Sequence, residues 1–171
     1  MRRGFINLGL SAGLVVALAA CSGTGSSATT SASATASAAA SAASGPTIAV
    51  TGSDYKFEGL PTEVASGTQL TFKNSATDEE HLLIVVRKND DATKGLEDLL
   101  KNGTEEEQQS MTTQVGELDA APGQTASGTI KLDQPGQYLA LCPIPVGSMS
   151  GPASDAMPHY MKGMYQLFTV K

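Results

Sequence analysis

The stretch CPIPVGSMSGPASDAMPHYMKGM, residues 142–164, holds most of the side chains in this sequence that bind soft metal ions. It contains one of the two cysteines, one of the two histidines and four of the six methionines in 171 residues. Thiolate and thioether sulfur select copper in its reduced state, and imidazole suits copper and zinc. This concentration of donors in a Gly- and Pro-rich segment predicts a metal site. The alternative is a loop whose methionines pack on the core.

The sequence before and after this stretch predicts an all-β domain. Short runs of β-branched, aromatic or alternating apolar residues are separated by turn signals such as Leu60-Pro61 and Pro135-Gly136. Such runs are typical of strands. They occupy residues 47–51, 69–74, 82–86, 128–132, 137–142 and 165–171. We therefore expect a Greek-key antiparallel β-sandwich over residues 47–171.

One segment breaks the β pattern. Leu96, Leu99 and Leu100 have the i, i+3, i+4 spacing of a helical face. Thr104 and Glu107 match a capping box, in which the two side chains cap the first turn of a helix. Residues 92–116 are therefore predicted to form a short helical insertion.

The N-terminal twenty residues have the features of a signal peptide. Arg2 and Arg3 precede an apolar run that is too short to cross a bilayer. The run ends in Leu-Ala-Ala followed by Cys21, which resembles the processing box of bacterial lipoproteins. The resemblance implies cleavage after residue 20 and a lipid on Cys21. The alternative is an ordinary secretory peptide with a chance cysteine.

The next segment, residues 22–46, is predicted to be a flexible tether. It consists of Ser, Ala, Thr and Gly with a single Pro and no charge. Such a composition cannot bury enough apolar surface to offset its ordering entropy. With Cys21, this gives a lipidated tether over residues 21–46 that holds the domain at a membrane, outside the cytoplasm. The net charge of −6 argues against nucleic acid as a partner.

The cysteine count makes Cys142 unusual. If Cys21 carries lipid, Cys142 is the only other cysteine and has no partner for an intramolecular disulfide. A leftover cysteine outside the cytoplasm is explained as an intermolecular bridge, a reactive thiol or a metal ligand. A buried structural cysteine, which behaves as a small hydrophobe, is the fourth possibility.

Four candidate ligands fall at positions that a sandwich can bring together. His81 opens a strand, Cys142 ends another, and His159 and Met164 lie before the last strand. A sandwich gathers its loops at its ends, so these side chains can converge. Two imidazoles, a thiolate and a weak axial thioether are the donor set of blue copper. Met161 can take the place of Met164 in this set.

Three pieces of the sequence resemble the cupredoxins, the family of plastocyanin and azurin. The first is LTFKN at 70–74 followed by His81. The second runs from PGQ at 122–124 to PGQYLALCP at 135–143. The third is HYMKGM at 159–164, before the final strand. The resemblance covers about residues 55–171, with the helical insertion as an excursion.

The resemblance implies one mononuclear copper held by His81, Cys142, His159 and Met164. It also implies one-electron transfer between extracytoplasmic redox proteins, no enzymatic activity, and an exit for the electron near His159. The sequence departs from the family in one respect. Sixteen residues separate Cys142 from His159, where the family has only a few.

The same residues are consistent with other functional hypotheses. The methionines, including Met149 and Met157, can hold Cu(I) loosely in a delivery lipoprotein, although packing within the loop is the simpler role for these two. A metal-free β-sandwich that serves as an interaction module is a further candidate, and zinc is an alternative metal. The acidic run 78–80 is expected to be a solvated loop, or part of a docking surface.

Overall fold

The computed structural model describes residues 45–147 and 157–171. The predicted signal peptide, Cys21 and nearly all of the predicted tether lie outside these residues, as does Met149. Within the described residues, nine strands form two sheets, and two short helices follow the fifth strand. None of the helices in this part of the chain is long and apolar enough to cross a membrane.

The first sheet has four strands in the order β2-β1-β4-β7. Their bounds are β1 Thr47–Ser53, β2 Lys56–Glu58, β4 Thr68–Asn74 and β7 Ile130–Leu132. Alternate residues of β4 are buried, which is the period-2 pattern of a strand with one face on a core.

The second sheet has five strands in the order β3-β9-β8-β5-β6. Their bounds are β3 Glu63–Val64, β5 His81–Lys88, β6 Thr112–Ala120, β8 Gly136–Leu141 and β9 Tyr165–Val170. The inward side chains of both sheets share one apolar core, with Phe72, Leu83 and Tyr138 among its fully buried members.

The predicted all-β sandwich is confirmed, and its strand pairing is mixed. Most neighbouring strands are antiparallel, as expected, but β1 pairs with β4 and β3 pairs with β9 in parallel. The period-2 pattern of a strand reports which face is buried and carries no information on the direction of its neighbour. The sequence therefore could not separate a mixed sheet from an antiparallel one.

The helical insertion consists of α1, Leu96–Asn102, and α2, Glu105–Met111. The capping box forms as predicted, with Thr104 and Glu107 each accepting a hydrogen bond from the backbone N–H of the other. The helical part ends at residue 111, and residues 112–116, predicted to be helical, begin strand β6.

Helix α1 covers the outer face of the five-stranded sheet. Its buried Leu96 and Leu100 pack with Leu139 of β8 and with partly buried residues such as Val86 of β5. This contact explains why β5 is apolar on both faces. One face lines the sandwich core and the other lies under the helix.

Candidate metal centre

Strand pairing places His81 and Cys142 side by side. His81 is the first residue of β5, and Cys142 follows the last residue of β8. These strands are antiparallel neighbours, with Ile84 opposite Leu141. The start of β5 therefore lies beside the end of β8, and the backbone N–H of Leu82 donates to Cys142 Sγ at 3.4 Å.

The segment after Cys142 folds back to deliver His159 to the same place. Pro145 and Pro158 form an antiparallel bridge, and the backbone N–H of His159 donates to the carbonyl of Ile144 at 2.9 Å. The two ends of the sixteen-residue separation are therefore held next to each other. The extra length does not keep His159 from Cys142.

The three side chains meet with their donor atoms facing one another. The Nδ1 atoms of His81 and His159 are 3.2 Å apart, and His159 Nδ1 is 3.4 Å from Cys142 Sγ. The three donor atoms all lie within 4.8 Å of one another. Imidazole and thiolate bind ions such as zinc at about 2.0–2.3 Å, so two donors on one ion lie roughly 3.3–3.8 Å apart. The observed separations are close to this spacing.

The second nitrogen of each imidazole ring, Nε2, also bears on the orientation of the rings. The Nε2 atoms of His81 and His159 are buried and have no hydrogen-bond partner within the described residues. A buried polar atom without a partner is costly, and each such atom in a native fold needs an explanation. The Nδ1 atoms, by contrast, face each other, and His159 Nδ1 also faces the sulfur, which is an arrangement that a shared metal ion can use.

Burial keeps all three groups uncharged in the metal-free protein. Burial and, to a smaller extent, the neighbouring His159 together lower the pKa of His81 to about 4. Burial also lowers the pKa of His159 and raises the pKa of the Cys142 thiol. Because metal ligands must be deprotonated, two imidazoles are ready to bind at neutral pH and one thiol has to release its proton.

Met164 and Met161, the two alternatives for the fourth ligand, differ in exposure. Met164 is fully buried in the sandwich core, and its carbonyl accepts a hydrogen bond from the backbone N–H of Cys142 at 3.1 Å. Met161 is 56% exposed. Met164 is thus the methionine whose backbone adjoins the cluster, and a thioether there suits copper, whereas zinc gains little from it.

The acidic run 78–80 is not a freely solvated loop. The side-chain amide of buried Asn74 donates to the carbonyls of Glu79 and Ala120, at 2.8 and 2.9 Å, and ties this loop to β6. The Glu79 side chain is 19% exposed. Burial and the neighbouring Asp119 raise the pKa of Glu80. The sequence pattern missed this because charged residues in a loop are mostly solvated.

Tyr55 is a second residue that the sequence pattern did not single out. It lies in the turn between β1 and β2, where Asp54 and Tyr55 have positive φ values of 38° and 62°. This conformation is uncommon for a bulky residue and often marks a functional site. The Tyr55 ring packs edge-on against His159, with 4.8 Å between the ring centroids.

His159 is therefore more enclosed than expected. The side chain is 0% exposed, and His159 is therefore no nearer to solvent than His81, which is 1% exposed. The electron exit near His159 stays a prediction. Tyr55 and Glu79 lie against it, with Glu79 Oε2 3.7 Å from His159 Nε2. His159 is the first residue of a short 3-10 helix, His159–Lys162, and not part of an irregular loop as the sequence suggested. The sequence also carried no signal for the residues that cover it.

No protein-family model and no curated protein sequence matches the chain. Solved structures of similar fold include auracyanin from the photosynthetic bacterium Roseiflexus castenholzii, at 22% identity and a TM-score of 0.45, covering 75% of this chain and 98% of that one. Auracyanin A, a "blue" copper protein from Chloroflexus aurantiacus, is 21% identical with a TM-score of 0.44, covering 74% and 100%. Rusticyanin from Thiobacillus ferrooxidans is 15% identical with a TM-score of 0.42, covering 73% and 76%.

At these identities and TM-scores, the similarities do not by themselves assign a function. The evidence for the cupredoxin resemblance comes instead from the architecture and the ligand cluster of this chain. Two sheets form a sandwich, and His81, Cys142 and His159 converge beside the buried Met164. The cupredoxin resemblance stated from the sequence is confirmed in these features, and the donor set fits a single copper ion.

Proposed function

We propose that this protein binds one copper ion and carries single electrons between redox proteins outside the cytoplasm, without being an enzyme. One observation supports this above all others. The His81 and His159 nitrogens and the Cys142 sulfur lie within 4.8 Å of one another, in a buried site. His81, Cys142, His159 and Met164 would hold the ion.

The protein supplies a rigid and dry setting for the ion. Cys142 and His81 are fixed by paired strands, and His159 by backbone hydrogen bonds to the segment that follows Cys142. Bound copper would supply the one-electron couple, because thiolate and thioether hold Cu(I) and imidazole accepts Cu(II). Ligands held by packing and hydrogen bonds rearrange little when the charge on the ion changes, which is what rapid electron transfer requires.

The proposed location rests on the sequence. Residues 1–20 would direct export, a lipid on Cys21 would anchor the chain in a membrane, and residues 22–46 would let the domain reach its partners. The redox partners are proposed by chemistry alone, as extracytoplasmic proteins that give or accept one electron. Acidic composition supports the absence of nucleic acid among them.

Copper titration of the purified protein tests the proposal. One equivalent of Cu(II) should bind and give an intense visible absorption band together with the EPR signal of a copper–thiolate site. Cys142→Ser should lose the band, because the thiolate is removed. Met161→Leu, at an exposed position in the same segment, is the matched control and should keep it. A wild-type protein that binds no copper, or that keeps the band after Cys142→Ser, would contradict the assignment.

A second candidate function, Cu(I) delivery, has one observation in its favour. Met157 and Met161 are 48% and 56% exposed, so they are not packed on the core. Both line one surface groove with Tyr160 and Lys162. Competition with a Cu(I) chelator separates the two functions. A delivery protein should lose Cu(I) binding in the double variant Met157→Leu/Met161→Leu, whereas the electron carrier should retain it.

A further inference from the structure

The carboxylate of Glu79 lies where three separate segments of the chain meet. The hydroxyl of Tyr55, in the β1–β2 turn, donates to Oε1 at 3.3 Å. The backbone N–H of Gly147 donates to Oε1 at 3.0 Å and to Oε2 at 3.3 Å. The third neighbour is His159, whose Nε2 lies 3.7 Å from Oε2. Because Asn74 anchors the Glu79 carbonyl at 2.8 Å, the carboxylate is presented from a fixed backbone.

His159 needs a partner at the nitrogen that faces Glu79. Its Nδ1 lies 3.4 Å from Cys142 Sγ, and because burial raises the pKa of that thiol, its S–H can donate to Nδ1; the proton of the neutral ring is then on Nε2. That Nε2 is buried and has no hydrogen-bond partner within the described residues. The last torsion of a glutamate is soft, so a small rotation of the carboxylate brings Oε2 from 3.7 Å into hydrogen-bonding range.

We infer that Glu79 is a positioning residue for His159: its carboxylate accepts the Nε2 proton, fixes the tautomer that leaves Nδ1 bare, and aims Nδ1 at the metal site. The inference rests on the proposed copper-binding function. Ligand histidines commonly donate their other N–H to a carboxylate, and loss of that partner weakens metal binding about 10–100-fold. The negative charge beside the site also favours Cu(II) over Cu(I).

A purely structural role for Glu79 makes a different prediction. If the carboxylate only ties Gly147 and Tyr55 together, Glu79→Gln preserves the function, because the amide oxygen accepts the same hydrogen bonds. If His159 needs the negative charge of Glu79 and an acceptor at Nε2, Glu79→Gln loses this function. Asp78→Asn is the matched control. It removes one negative charge from the neighbouring exposed residue, whose carboxylate accepts a hydrogen bond from Thr77.

The first measurement needs no metal. Nitrogen-15 NMR of the histidine rings at neutral pH should show His159 of the metal-free wild type with its proton on Nε2. Asp78→Asn should be the same. Glu79→Gln should populate both tautomers. An unchanged tautomer in Glu79→Gln overturns the inference, whatever the copper chemistry of the protein proves to be.

The second measurement is copper affinity. Cu(II) should bind Glu79→Gln about 10–100-fold more weakly than the wild type, and Asp78→Asn within about twofold, since exposed charges are screened. The reduction potential should rise in Glu79→Gln. Equal affinities and potentials in Glu79→Gln and wild type overturn the positioning role. Failure of the wild type to bind copper overturns the proposed function instead, and leaves the tautomer measurement to decide the role of Glu79.

Discussion

Acid should destabilise the metal-free protein through His81, well before most carboxylates titrate. Burial, followed by the proximity of His159, lowers the pKa of His81 to about 4, and the carboxylates of Glu79 and Asp54 offset this only partly. In the unfolded chain the same histidine has a pKa near 6.5. The folded protein therefore excludes a proton that the unfolded chain accepts.

The sign and size of the effect follow from this difference. Above pH 6.5 neither state binds the proton, and the native protein has its full stability. As the pH falls from 6.5 to about 4, the unfolded state gains protons and the free energy of unfolding decreases. Between pH 7.5 and 4.5 His81 alone should lower it by about 2–3 kcal/mol. The pKa of His159 is also lowered by burial, so this residue acts in the same direction.

Urea denaturation of the metal-free protein between pH 7.5 and 4.5, with a chelator present, measures this loss. His81→Gln isolates the contribution of one ring, because its amide does not titrate in this range. The wild type should lose about 2–3 kcal/mol more than the variant over the interval. Parallel profiles for the two proteins would refute the reasoning, because they would show that the folded protein protonates His81 as readily as the unfolded chain does.

Three other substitutions have defined outcomes. Met164→Leu should change the visible and EPR spectra of the copper-loaded protein, whereas Met161→Leu, at a 56% exposed side chain, should leave them unchanged. Gly52→Ala would place a Cβ 2.9 Å from the Phe72 ring and 3.1 Å from Met164 Cε, and this overpacking should cost about 1–3 kcal/mol in urea denaturation. Thr104→Ala removes the N-cap of α2 and should cost about 1 kcal/mol in the same assay, with no change in the copper spectra.

The sequence predicted the parts of the site that depend on strand ends. His81 opens an apolar run and Cys142 closes another, and such runs become neighbouring strands of one sheet. Because the strand ends of a sandwich lie close together, the sequence predicted one site that contains both residues. The single bridge between Pro145 and Pro158, which returns His159 to Cys142, had no such pattern, because the intervening sequence is rich in Pro, Gly and Ser.

The parts that the sequence missed depend on long-range contacts of residues with weak local preferences. Strand β6 is mostly polar and buries only Leu118 and Ala120, so it lacks the long alternation that marks a buried face. The sequence around Glu79 is typical of a solvated acid. In the structure, Asn74 hydrogen-bonds the Glu79 carbonyl, and the backbone N–H of Gly147 donates to its carboxylate. Tyr55 is in the left-handed region, which local propensity disfavours.

The metal site, like the features that the sequence did not predict, depends on contacts between distant residues. A buried centre that holds two neutral imidazoles and a protonated thiol destabilises the metal-free fold, because polar groups there lose water and gain little in return. A bound ion gives the two imidazole Nδ1 atoms and the thiolate a partner at once, so copper that binds the folded chain alone should stabilise it by mass action. Local sequence rules describe residues whose contacts are with neighbours in the sequence. They fail here because Glu79, Tyr55 and the three ligand side chains contact one another across distant parts of the chain.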